Sequence, residues 1–393
     1  MVSKEGNWKI KYSCRTWHDF QGEEMPEILN VGIVGAAGRG SGFKIACEAS
    51  GILKIHAVCD INREKLEEAR INLGALEKYV DYDEMLEKSD IQAVILGTPM
   101  NFHVPQAIAA LKKGIHVLSE VPAGISISEC KNLVLTCRKS KAVYMMAENY
   151  TYIKTNVMVR EMVRRGMFGE TYYGEGEYLH ELKAYNEVTK WRRKWQTGIN
   201  GITYGTHSLG PILQWMPGDR VVSVACAGSG HHYKDPRGDL YENEDSCVML
   251  CKMAKGGLVK IRVDMLSERP SAMTNYQLQG TEGAYESARA QGERNRIWLR
   301  SLCKDHSWLD IETLENEYLP GDWKKQEEIA MKTGHGGGDF FEVMDFVDAI
   351  LGRKPCPIGI DEAMDMTLPG LVSQESILKN GAWLPVPDSR DWK

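Results

Sequence analysis

The stretch Ile28-Leu29-Asn30-Val31-Gly32-Ile33-Val34-Gly35-Ala36-Ala37-Gly38-Arg39-Gly40 decides the fold. Its β-branched, apolar first half reads as a buried strand, and at Gly35 it breaks into glycine-rich sequence. The segment Gly42 to Ser50 reads as a helix, and Leu53 to Asp60 as a second strand ending on an acid twenty residues after Gly40. Strand, glycine-rich turn, helix and a later acid at the next strand end make the dinucleotide fingerprint. Gly35, Gly38 and Gly40 let backbone approach a pyrophosphate whose charge sits at a helix N-terminus. Arg39, inside the turn, joins them as a candidate cofactor-binding residue. Asp60 would accept hydrogen bonds from an adenosine ribose and repel a 2′-phosphate, which favours NAD over NADP. Ala37 departs from the pattern, where a second glycine is usual.

Outward from that turn, strands and helices alternate. Asn62 to Leu73, His103 to Lys113 and Ser128 to Lys139 read as helices. IQAVILGTP, ending at Pro99, and Gly114 to Pro122 read as strands, and KAVYMMAENY closes the series. This rhythm predicts a doubly wound parallel α/β Rossmann sheet over residues 29–149. Ligands of such sheets sit at the carboxyl ends of the strands. Thr98, Asn101 and His103 in TPMNFHVP, and Glu120 and Val121 in SEVPAG, occupy such ends.

From about Thr151 the rhythm changes. After a helix around Asn156 to Arg165 come GETYYGEGEYLHE, VVSVACAGSG, CVMLCKM, GGLVKIRVDM and NYQLQGTEGAYE. Consecutive strands with glycine-rich turns predict an α+β domain over 150–393, built on an open, mostly antiparallel sheet. Its C-terminal segment is expected to pack back on the first domain. Asp339 to Leu351 reads as a helix with Asp339 as its N-cap. Residues 1–28 are polar and aperiodic, and are expected to wrap the surface as an N-terminal extension.

Composition bounds the function. The 393 residues carry a net charge of −6, are 43% hydrophobic and 26% charged, and suit two or three globular domains. The acidic balance argues against nucleic acid or an anionic membrane as partner. No apolar run is long enough for a spanning helix, and MVSKEGNWKIKYSCRTWHDF has no apolar core of a secretory signal. The ten cysteines contain no CxxC pair, so reduced thiols in the cytoplasm are expected. His231-His232 has no third ligand at suitable spacing, so no metal is expected and the pair reads as a surface turn.

The motifs GIVGAAGRG, CDINREK, GTPMNFH, SEVPAG, RGMFGE, GTHSLG, HGGGDFF and VPDSR run in the order of the glucose–fructose oxidoreductase, inositol dehydrogenase and MocA (Gfo/Idh/MocA) family. The chain resembles that family from residue 29 onward. The resemblance implies NAD, a small carbohydrate substrate, and a homodimer or homotetramer formed through the second sheet. Two departures are informative. The family's usual Glu-Lys-Pro is here Glu120-Val121-Pro122, and its Asp four residues before the catalytic His is here Thr203, ahead of His207. Both departures resemble the glycoside hydrolase family 109 branch, as do MMAENYTY, FGETYYGEGEYLHELK, KWRRKW and NGITYGTHSLGP. That branch implies bound NAD regenerated in each turnover. Hydride leaves C3 of the sugar, the ketone acidifies the C2 proton, the C1 substituent is eliminated, water adds, and the ketone is reduced again.

Roles follow for single residues. His207 suits the C3 hydroxyl proton, as an imidazole near neutral pH does; it also suits a plain hydrogen bond in a helix first turn. Tyr204, three residues earlier, shares its face on a helical reading. Tyr178 is the candidate base at C2, needing a lowered pKa or a nearby positive charge, and period two puts His180 on its face, opposite Glu177 and Leu179. The resemblance implies that Glu148 contacts substrate or acts in general acid chemistry, that Asn149 meets the nicotinamide ribose, and that Trp191 and Arg192 lie over the cofactor. His335-Gly336-Gly337-Gly338 reads as a flexible loop entering a helix near the site. A glycoside-cleaving enzyme is the first expectation. An ordinary NAD-dependent sugar or polyol dehydrogenase is the second, and a non-catalytic NAD-binding regulator the third.

Overall fold

The computed structural model describes residues 28–270, 272–303 and 305–393. The expected N-terminal wrap, apart from its last residue, lies outside them. The first sheet has strands β1 (Leu29–Val34), β2 (Leu53–Cys59), β3 (Glu77–Tyr79), β4 (Ala93–Leu96), β5 (His116–Ser119) and β6 (Tyr144–Met146). They pair in the order β3-β2-β1-β4-β5-β6, all parallel. Helices cover both faces of such a sheet, so its central strands are apolar throughout; Ala93 to Leu96 are all fully buried. Strand order reverses between β1 and β4, and the glycine-rich turn sits at that switch point. β3 and the short helix Tyr82–Lys88 escape a pattern reading, because three residues and seven are too few for a period to show.

The second sheet has strands β7 (Thr171–Leu179), β8 (Val221–Gly228), β9 (Ser246–Met253), β10 (Leu258–Asp264), β11 (Thr274–Gly280), β12 (Gly283–Glu286), β13 (Arg296–Leu299), β14 (Leu309–Asp310) and β15 (Leu384–Pro385). Their order is β14-β13-β12-β11-β7-β10-β9-β8-β15, antiparallel except for the parallel pair β7 and β10. β9 shows the alternation of a half-covered sheet: Cys247, Met249, Cys251 and Met253 are buried, while Val248 and Leu250 face outward.

The helix Thr206–Gln214 lies on the covered face, where it carries His207. Gly176 makes this possible, because a Cβ there would stand 2.0 Å from the Ser208 carbonyl oxygen. Behind the helix, Trp215 donates from Nε1 to the Asn156 carbonyl at 3.1 Å and meets Tyr276 and Tyr285 edge-on. Fully buried aromatic rings of this kind contribute about 1.5–3 kcal/mol each by burial.

The C-terminal helix Ile360–Leu378 joins the two sheets. Its Ser376 hydroxyl accepts from the Cys226 N–H at 2.8 Å, and its Thr367 hydroxyl accepts from the Ala123 N–H at 3.3 Å. Just before it, the Ile358 carbonyl accepts from Met146 N at 3.0 Å, against β6. The helix expected from Asp339 runs Gly338–Ile350 and is capped by Gly337, so Asp339 is not its N-cap. Its carboxylate turns instead to Arg39, where charge pairing outweighs a cap. No described helix is long and apolar enough to cross a membrane. The nine described cysteines are unpaired. His231 and His232 are exposed.

Candidate active site

At the end of β1, Gly35 has φ +75°, and a Cβ on it would stand 2.4 Å from the Gly97 carbonyl oxygen. The chain's own packing therefore demands glycine there. Gly38 differs, because a Cβ on it would meet nothing nearer than 3.7 Å. The open side of the turn is thus free for a group from outside. Asp60 braces the turn by accepting from Ala37 N at 2.9 Å and from Asn62 N at 2.8 Å. Asn101 Oδ1 and Asn149 Oδ1 are buried acceptors with no internal partner. Such orphaned oxygens are costly alone and suit the hydroxyls of a bound dinucleotide.

Two residues expected at the cofactor are spent inside the chain. His103, 1% exposed, has Nδ1 2.8 Å from the Pro122 carbonyl oxygen and Nε2 2.9 Å from the Thr98 carbonyl oxygen. It pins the loops after β4 and β5 together, and burial lowers its pKa. Arg39 leaves the turn for three carboxylates. Nε lies 2.5 Å from Glu120, Nη1 and Nη2 lie 2.7 and 2.8 Å from Asp339, and Glu342 is 4.0 Å away. Glu120 is therefore engaged by Arg39, and Val121, in the place of the family lysine, is buried. The Thr98 hydroxyl donates to Gln106 at 2.6 Å.

The catalytic candidates converge. His207 Nδ1 lies 2.7 Å from Glu148 Oε1. Glu148 is 0% exposed, and its other oxygen, Oε2, is buried with no internal partner. Through Oε1, Glu148 holds the His207 imidazole in place. The Thr203 position does not support His207; its hydroxyl accepts from Gln374 at 2.7 Å. Three tyrosine rings enclose His207, with centroids at 4.3 Å (Tyr150), 5.2 Å (Tyr178) and 5.3 Å (Tyr204). Tyr204 reaches it although the helix begins only at Thr206.

Tyr178 Oη lies 2.7 Å from His180 Nδ1. Burial pushes the Tyr178 pKa well above its ordinary value, against a lowering pull from the Arg192 charge. Of the two conditions expected for a base, a lowered pKa or a nearby positive charge, Arg192 supplies the second, and the phenol lies against His180. Burial and then Arg192 lower the pKa of His180, favouring the neutral imidazole. Arg192 stacks on Trp191 at 4.6 Å, and its Nε is buried without an internal partner. Its Nη1 donates to Gln196 at 2.6 Å, and its charge acts on Tyr178, His180 and Tyr204.

Several residues went unforeseen. Tyr150 lies against both His207 and His335, and its hydroxyl meets the Met273 sulfur at 3.1 Å. Its position directly after Glu148-Asn149 was the available signal. Asp339 accepts from Arg39, from Asn149 Nδ2 at 2.9 Å, and faces His335 Nδ1 at 2.9 Å. Burial raises its pKa, but His335 and Arg39 outweigh that and hold it well below the usual carboxylate range. Glu342 is the reverse case. Burial, then Asp339 and Glu120, push its pKa well above the ordinary value against the pull of Arg39 at 4.0 Å, and neither oxygen has a hydrogen-bond partner. No period or spacing in the sequence links Arg39 to residues three hundred positions away.

Residues 152–392 match the model of the glycosyl hydrolase 109 C-terminal domain, and residues 29–148 match the oxidoreductase family with an NAD-binding Rossmann fold. The chain belongs to glycosyl hydrolase family 109. A family 109 protein of Saccharopolyspora erythraea is 31% identical over 93% of this chain and 84% of its own length. An α-N-acetylgalactosaminidase of Shewanella oneidensis is 29% identical over 92% of this chain and 85% of its own. In fold the chain is similar to a levoglucosan dehydrogenase solved with NADH and levoglucosan. The TM-score is 0.78 and the identity 20%, over 92% of this chain and 100% of that one. The cofactor of this family 109 member is NAD.

Proposed function

We propose that this protein is a redox-neutral glycosidase that works through a transient 3-keto sugar. One observation carries the reading: two separate proton-handling pairs, His207 with Glu148 and Tyr178 with His180, face one another at ring distances of 5.2 Å. Oxidising an alcohol needs one proton acceptor, whereas oxidation followed by removal of the neighbouring C–H needs two.

NAD would be held at the glycine-rich turn and by Asn101 and Asn149, and would supply hydride-acceptor and hydride-donor chemistry for C3. His207 takes the O3 proton, with Glu148 fixing its tautomer and stabilising the imidazolium that forms. Tyr178 takes the C2 proton of the ketone while passing its own to neutral His180, so a free phenolate is never required. Tyr204, next to both, and Arg192, with its unpaired Nε, suit the sugar's hydroxyl groups. Buried Val121 offers no amine for a dehydrogenase relay.

Glycosides of N-acetylated amino sugars are the substrate class we favour, on the name of the Shewanella oneidensis relative. Unpaired cysteines support work in the cytoplasm. The outward Val248, Leu250 and Leu258 support pairing of two copies through the second sheet.

The test is turnover of aryl α-N-acetylgalactosaminides in deuterium oxide by the purified protein with its bound NAD. Aglycone release with deuterium at C2 and no net NADH is expected. Steady NADH accumulation with intact glycoside would instead establish a dehydrogenase.

A further inference from the structure

The helix Lys190–Trp195 carries Arg192 but has no apolar anchor. It has six residues, none of them buried, and Thr189 caps its start without a side-chain hydrogen bond. A helix this short is not stable by itself. The charge of Arg192 nevertheless acts on Tyr178, His180 and Tyr204, so the helix needs a support from outside.

The next residue supplies it. Arg193 Nε lies 3.2 Å from Asp235 Oδ2, Nη2 donates to the Leu240 carbonyl at 3.0 Å, and Nη1 pairs with Glu242. The guanidinium also lies 4.7 Å from the ring centre of Tyr241. Asp235 is buried and is fixed by its own loop. It accepts from Arg237 N at 2.9 Å, Asp239 N at 3.2 Å and Arg237 Nη2 at 2.6 Å. Arg237 turns back to Glu187 at 3.0 Å, on the preceding helix Lys183–Val188. At the far end of the loop, Asn243 N donates to the Thr197 carbonyl at 3.1 Å, just beyond the arginine helix. A planar guanidinium with several partners fixes direction as well as distance. Neighbours on a helix project about 100° apart, so fastening Arg193 to the loop sets where Arg192 points.

We propose that Arg193 and Asp235 are positioning residues that aim Arg192 at the site of Tyr178 and His180, an assignment whose effect on turnover rests on the glycosidase reading. They touch neither substrate nor cofactor and act through Arg192 alone. His180 reports the arrangement without turnover. Burial, then Arg192 and His207, lower its pKa, Glu181 raises it, and His335 lowers it. Displacing Arg192 would therefore let it rise.

Two variants separate this from a direct charge effect. Asp235→Asn removes a negative charge, which by itself would lower the His180 pKa. Arg193→Lys keeps the charge and loses the planar fork. The titration of His180 is followed by NMR in the NAD-bound protein, and its pKa should rise by about 0.5 or more in both variants. A fall or no change would overturn the proposal, and Arg193→Lys decides alone if Asp235→Asn does not fold. Arg193→Lys should also lower kcat/KM for phenyl α-N-acetylgalactosaminide by about tenfold. Added to Arg192→Lys, it should cost less than about twofold more, because both changes remove one interaction. Losses that multiply in full would overturn a role through Arg192. Wild-type protein that releases no aglycone, with His180 still shifted in Arg193→Lys, would instead remove the glycosidase reading and leave the positioning in place.

Discussion

Glu148 Oε1 holds His207 Nδ1 at 2.7 Å from a site with no solvent contact. The carboxylate comes from the loop after β6 and the imidazole from the helix over the second sheet, so the pair forms only when both sheets are assembled. Its charge is the component that a neutral isostere would remove.

Glu148→Gln should therefore lower turnover by about 100-fold with KM within about threefold, because the amide keeps shape but cannot stabilise an imidazolium. The defect should appear in the hydride step, seen as a larger isotope effect with substrate deuterated at C3. A variant with normal turnover would remove Glu148 from the proton path.

Tyr178→Phe should separate the two proton transfers. Addition of substrate should still reduce bound NAD, visible as absorbance that rises once and stays. Aglycone release and C2 exchange should fall by about 100-fold or more. Normal aglycone release would show that C2 is deprotonated by another group.

The glycine-rich turn predicts two different phenotypes. Gly35→Ala forces a side chain onto Gly97 at positive φ, and should cost about 1–3 kcal/mol in denaturant unfolding without NAD. Gly38→Ala meets no close protein atom and should cost less than about 1 kcal/mol, yet weaken NAD binding about tenfold or more by filling the open side. Equal NAD affinity in Gly38→Ala and wild type would place the pyrophosphate elsewhere.

Glu342 sets a pH dependence of stability. Burial first, then Asp339 and Glu120, raises its folded pKa above the ordinary 4.5, so the folded state keeps a proton that the unfolded chain releases. Its contribution is fully present below about pH 4.5 and is lost as pH rises toward the raised value, by up to about 1.4 kcal/mol per pH unit. Glu342→Gln should flatten that slope, gaining stability at pH 8 relative to pH 5 in chemical unfolding. An unchanged slope would mean that Glu342 is ionised in the folded protein.

The residues themselves determined the Rossmann half. β1, its glycine-rich turn and Asp60 follow one another within one βαβ unit, so local periodicity and turn chemistry suffice to read them. The same holds for the change of rhythm after Thr151 and for Tyr178 with His180, whose side chains share a face by the two-residue period of a strand. Tertiary structure alone decided the rest. Arg39 was legible as a turn residue but not as the partner of Asp339, and Asp339 read as a cap until that guanidinium claimed it. Glu148 and His207, Tyr150 and His335, and the contest of burial and charge at Glu342 all join segments with no common period. Burial sets the price of each unpaired charge, and the nearest opposite charge in space, not in sequence, decides where each side chain goes.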